Sequence, residues 1–159
     1  MENKQEWTPL ILGKRLHNYL YTAGQGWTLL PEDYGSWVAG GCWILAEAVL
    51  DWLGTENAQL YVLENEEGNS EHVLVRCGDF YLDGDGVSTK DEFLDRWELD
   101  EMIDGPVLVK GSRTVLRSTV IPEDRSLSSQ LSDDLRKHFK AQIFVDTLKS
   151  FSEEGLFIS

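Results

Sequence analysis

Between Cys42 and Leu53 the chain is apolar on almost every side. Trp43, Ile44, Leu45, Ala46, Ala48, Val49, Leu50, Trp52 and Leu53 are interrupted only by Glu47 and Asp51. Those two acids stand four residues apart, so on a helix they share one narrow stripe. A helix with so little polar surface has to be packed on most of its sides. Gly40-Gly41 lead into the segment and Gly54 ends it. The chain is therefore expected to fold around this helix, with Cys42 in its first turn. At 159 residues it has the length of one domain, residues 1–159. A domain of this size buries roughly 70% of the surface its unfolded chain exposes, so neither a disulfide nor a metal is expected to hold the fold.

The flanking segments supply the other layers. Thr8-Pro9 reads as an N-cap followed by proline at the first helical position, and Leu10, Ile11, Leu12, Leu16, Tyr19 and Leu20 recur at helical spacing up to a stop near Gly24. Residues 24–41 mix glycines with aromatics, which predicts a structured loop rather than a linker. Gln59–Leu63, His72–Cys77 and Phe80–Asp83 read as strands, the last two joined by the hairpin turn Gly78-Asp79. A short helix fits Thr89–Trp97, with Ser88 or Thr89 as its cap. Two more strands fit Val107–Lys110 and Thr114–Ile121, and one last helix fits Ser132–Phe151. The order predicts an α+β domain with an antiparallel sheet and a C-terminal helix.

Charge narrows the function. Twenty-eight acidic against fourteen basic residues give a net charge of −14, with no basic cluster, which excludes binding to a nucleic-acid backbone. The excess suits solubility, and it equally suits an acidic protein that docks on a basic surface of a protein partner. The N-terminal residues Met1 to Glu6 are polar, the longest nearly uncharged stretch is too short to cross a bilayer, and the two cysteines, Cys42 and Cys77, form no CxxC pair. The expectation is a cytoplasmic protein with free thiols and no membrane contact.

Cys42, placed at the start of the central helix, meets the positive end of the helix dipole, which favours thiolate. The glycines before it, Gly41 in particular, leave room for a substrate, and N–H groups near Cys42 offer oxyanion donors. The alternative is a small buried hydrophobe. The hairpin adds to the first reading. A two-residue turn pairs Cys77 with Phe80 and puts His72, Leu74, Asp83 and Asp85 on one face, with Val73, Val75, Phe80 and Leu82 on the other. A carboxylate beside a histidine is the arrangement that orients a thiol's base; the alternative is a His–acid pair on a solvated sheet face. Cys77, on the opposite face, reads as structural, and His17 and His138 as surface residues. Trp27 and Trp37 are expected to wall a groove. Asp83, Asp85, Gly86 and Glu92 approximate a calcium loop, but Tyr81 stands where its first carboxylate belongs. No metal site and no cofactor are expected.

Gly41-Cys42-Trp43 opening an apolar helix resembles the nucleophile segment of the papain-like cysteine enzymes. His72-Val73-Leu74-Val75 and Phe80-Tyr81-Leu82-Asp83-Gly84 resemble their His and Asp/Asn strands. The compact spacing is similar to the transglutaminase-like, NlpC-like and phage- or toxin-associated small members, and the resemblance covers roughly residues 35–97. It implies a papain-like fold in which Cys42 is nucleophile, His72 general base and Asp83 the orienting acid. Gly41, Trp43, Trp37 and Asp85 would border the substrate. Gln25, the nearest upstream glutamine, would have to fold back to serve as an oxyanion donor. The implied activity is acyl transfer on an amide of a protein or peptide substrate: peptidase, isopeptidase or glutamine deamidase. The competing class is a non-catalytic, phage-type acidic inhibitor.

Overall fold

The structure is a computed structural model that describes residues 7–111 and 122–158. Helix α1 (Pro9–Leu20) starts where Thr8 accepts a hydrogen bond from the Ile11 N–H at 3.2 Å. The Gly-rich loop contains one helical turn, α2 (Gly26–Leu29), and a 3-10 turn (Glu32–Tyr34) before α3 (Cys42–Leu53). Strands β1 (Gln59–Glu64), β2 (Ser70–Cys77), β3 (Phe80–Asp83) and β4 (Gly86–Thr89) lead into α4 (Lys90–Leu99). Then come β5 (Val107–Lys110), α5 (Pro122–His138) and α6 (Ala141–Ile158). The five strands form one antiparallel sheet in the order β4-β3-β2-β1-β5. The α+β expectation therefore holds, and no helix among the described residues is long and apolar enough to cross a membrane.

The sheet is buried on both faces. Leu60, Val75, Cys77 and Leu82 join α1, α3, α5 and α6 in one core, where Leu12, Leu16, Ile44, Leu131 and Phe144 are almost fully buried. Tyr61, Leu63, Leu74 and Tyr81, on the other face, pack against Phe93 and Trp97 of α4. The His72 face is thus roofed by α4 and is not a solvated surface.

Close backbone approach sets α1 against β4. A Cβ on Gly13 would stand 2.7 Å from the Val87 nitrogen, and one on Gly86 would stand 2.8 Å from the Gly13 oxygen. Gly86 also holds φ +118°, a conformation L side chains rarely adopt. This contact carries His17 to the β3–β4 turn.

The C-terminal region differs from expectation. Two helices replace the single one over Ser132–Phe151, and His138 ends the first of them. They part at Phe139-Lys140, where Phe139 packs on Tyr19, Trp52 and Phe144. The strand expected at Thr114–Ile121 lies outside the described residues.

Candidate active site

The Gly78-Asp79 turn sets the register that counting predicts: Cys77 opposite Phe80, Arg76 opposite Tyr81, Val75 opposite Leu82. Asp83, at the end of β3, then meets His72 near the start of β2. The His72 Nε2–H donates to Asp83 Oδ2 at 3.0 Å, and both side chains are buried. That bond leaves Nδ1 with the basic lone pair of the neutral ring. Nδ1 is buried and has no hydrogen-bond partner among the described residues. Cys42, half-buried in the first turn of α3, is near enough to act on the ring and raise its pKa. Burial alone would lower the imidazole's pKa. The hydrogen bond to Asp83 and the influence of Cys42 outweigh it, and the pKa rises from 6.5 to about 9. His72 is held as imidazolium beside the sulfur at neutral pH.

Two residues that sequence reasoning did not single out complete the surroundings, both from α4. Arg96 donates from Nη2 to Asp83 Oδ2 at 3.1 Å and lies 3.2 Å, by Nε, from Asp85 Oδ2. Asp83 Oδ1 accepts the Asp85 N–H at 2.9 Å. Trp97 stacks on the His72 ring with centroids 4.5 Å apart and planes 28° apart, a favourable lid for a cation. Phe93, Arg96 and Trp97 recur at i, i+3 and i+4, which marks one helix face, but only the fold shows that this face covers His72.

Gly41 is the N-cap of α3 and is buried; a Cβ there would meet Leu30 at 2.8 Å and the Ser36 oxygen at 3.0 Å. The N–H groups before the helix are engaged: Gly40 to Tyr34, Gly41 to Ser36, and Cys42 to the Ala39 oxygen over a long 3.3 Å. The oxyanion donors expected near Cys42 are therefore partly committed to the loop. Trp43 is half-buried against the core. Trp37 is fully buried beneath the loop, in contact range of Gly84, and lies under the groove rather than in its wall. Trp27 is partly exposed and stacks on Tyr21, which does line the groove. Gln25 is exposed in the turn before α2, with no hydrogen bond that ties it to Cys42.

An open cleft of about 630 Å³ is lined by chain neighbours of the triad residues rather than by Cys42, His72 or Asp83 themselves. Val38 and Ala39 of the loop before Cys42, Glu71 next to His72, and Trp97 all line it. His17 lines it too and is not a free surface residue: its Nδ1–H donates to the Gly84 oxygen at 3.0 Å. Asp85 stands at the cleft with its pKa raised by burial and by the neighbouring Asp83 charge. Cys77 is buried on the opposite face of the sheet, and burial pushes its thiol up to about 11. Glu92 caps α4 in a box with Thr89, so it is not available to a loop with Asp83 and Asp85. The described residues hold no cluster of metal-ligating side chains. Set against known proteins, the chain matches no family model, no curated protein and no solved structure.

Proposed function

We propose that the protein is a papain-like cysteine enzyme that transfers or hydrolyses an acyl group held in an amide. The observation that carries the reading is the buried His72–Asp83 pair, whose imidazole pKa is raised both by that carboxylate and by Cys42 at the start of α3. Such a pair generates a nucleophilic thiolate and an imidazolium able to protonate a leaving amine.

Cys42 Sγ attacks the carbonyl carbon, forming the C–S bond while the π pair moves to oxygen. Collapse of that oxyanion breaks the C–N bond, and His72 gives its proton to the departing amine. Water or a second amine then attacks the thioester and His72 takes the proton back. The C–S bond breaks, returning thiolate and releasing acid or a new amide. Peptide cleavage, isopeptide cleavage and deamidation of glutamine share these steps.

Iodoacetamide alkylation of each cysteine, resolved by mass spectrometry across pH, tests the reading. Cys42 should be alkylated faster than a blocked free cysteine at neutral pH, and His72→Ala should remove that advantage while Cys77 stays protected in both proteins. A Cys42 that behaves as an ordinary thiol with or without His72 sinks the enzyme reading. The net charge of −14 would then favour an acidic protein that binds a basic partner.

A further inference from the structure

Helix α1 and the junction between α5 and α6 enclose a second hollow, of about 180 Å³, that shares no residue with the cleft lined by His17 and Asp85. Its wall is apolar and mostly aromatic: Trp7, Leu12, Phe139, Ile143 and Phe144. Leu12 and Phe144 are each 1% exposed, so the floor is packed core. Phe139 is held edge-on by Tyr19 and Phe144. A hollow of this size accepts one ring or a short chain and is too small for a nucleotide.

The rim is basic. Arg15, Lys140 and His138 complete the lining, and no acid belongs to it. Arg15 lies over the Trp7 ring, its guanidinium carbon 4.7 Å from the centroid. Stacking uses the flat face of the guanidinium and leaves its in-plane N–H donors free for a carboxylate. Neither Arg15 nor Lys140 has an ion pair among the described residues. His138 is engaged on one side: its Nδ1–H donates to the Asp134 carbonyl at 2.9 Å, and the Asp134 carboxylate lies 3.6 Å away. That carboxylate also accepts the Tyr19 hydroxyl. Asp134 is thus committed to His138 and Tyr19, and Asp146, further along α6, accepts from Gln142. The charges of Arg15 and Lys140 stay unanswered. In a chain with 28 acids against 14 bases, an acid-free lining with two unpaired cations attracts an anion that most of the surface repels.

From this juxtaposition we infer that the hollow binds a small aromatic carboxylate, its ring against Trp7, Phe139 and Phe144 and its carboxylate held by Arg15 and Lys140. An inorganic anion would use the rim and leave the apolar floor uncovered, and a neutral ring would do the reverse. The inference is independent of the enzyme reading, since Cys42, His72 and Asp83 take no part in the lining.

Titration of the isotope-labelled full chain with phenylacetate, followed by backbone-amide and indole N–H shifts, tests it. The shifts should saturate and should centre on Trp7 and residues 139–144. Phenylacetamide keeps the ring without the charge and should bind on the order of tenfold more weakly. Acetate, which keeps the charge without the ring, should also bind more weakly than phenylacetate. The double variant Arg15→Gln/Lys140→Gln should lose the preference for acid over amide while the weak amide binding remains, a sign that the hollow is still formed. Lys90→Gln/Lys110→Gln makes the same change in net charge outside the hollow and should keep the preference. Equal affinity for acid and amide, equal losses in the two double variants, or no saturation by about 10 mM phenylacetate overturns the inference. Alkylation of Cys42 is read separately and is unaffected by any of these outcomes.

Discussion

The Asp83 carboxylate accepts hydrogen bonds from three directions, His72, Arg96 and the Asp85 N–H, and its side chain is almost out of water. A carboxylate held this way cannot swing, so it fixes both the tautomer and the tilt of His72. The consequence for stability has a definite sign. The His72 pKa rises from 6.5 unfolded to about 9 folded, so the folded chain holds a proton that the unfolded chain releases. This contribution, on the order of 3 kcal/mol, is complete below about pH 6.5 and disappears as pH climbs through about 9. Denaturation of wild type and His72→Gln across that window should show the difference between them shrinking as pH rises; a constant or growing difference contradicts a protonated His72. The His72–Asp83 contact was legible beforehand because a two-residue turn fixes register by counting. Arg96 and Trp97 were not, since reach from a helix to a sheet face depends on tertiary placement that no local period encodes.

Helix α1 and strand β4 meet through two backbones with no side chain between them, and that contact sets where His17 lies against the Gly84 carbonyl. Gly86→Ala would combine a strained φ of +118° with a methyl 2.8 Å from the Gly13 oxygen. The expected cost is about 2 kcal/mol or more, read as a lower urea midpoint, and Gly24→Ala, where φ is also positive but no atom lies within 4 Å, should cost less. Equal losses would mean that backbone strain alone, and not the α1–β4 contact, governs the site. Elements with strong local signals were readable: the Thr8-Pro9 start, the apolar α3, the hairpin turn. The start of α5 was hidden because its buried stripe includes Asp124, Ser128 and Ser132, and Ser128 donates to the Ile44 carbonyl at 3.1 Å. A face half made of small polar groups has little hydrophobic period to detect. The break before α6 carries neither proline nor glycine; aromatic packing of Phe139 against α1, α3 and α6 accompanies it.

Across the whole molecule, a net charge of −14 on 159 residues works against compaction, because folding brings like charges closer together. At about 10 mM salt the screening length is roughly 30 Å, comparable to a domain, so most acidic pairs repel; at about 1 M it falls to roughly 3 Å. The favourable pairs that salt could weaken most are exposed ones such as Arg136–Asp133, each of small worth. The Arg96–Asp83 pair has a buried carboxylate and is shielded from the same ions. Added sodium chloride should therefore raise the melting temperature, and a gain of about 1 kcal/mol would appear as roughly 2–4 °C in a chain of this size. A melting temperature that falls with salt would show instead that ion pairs outweigh self-repulsion.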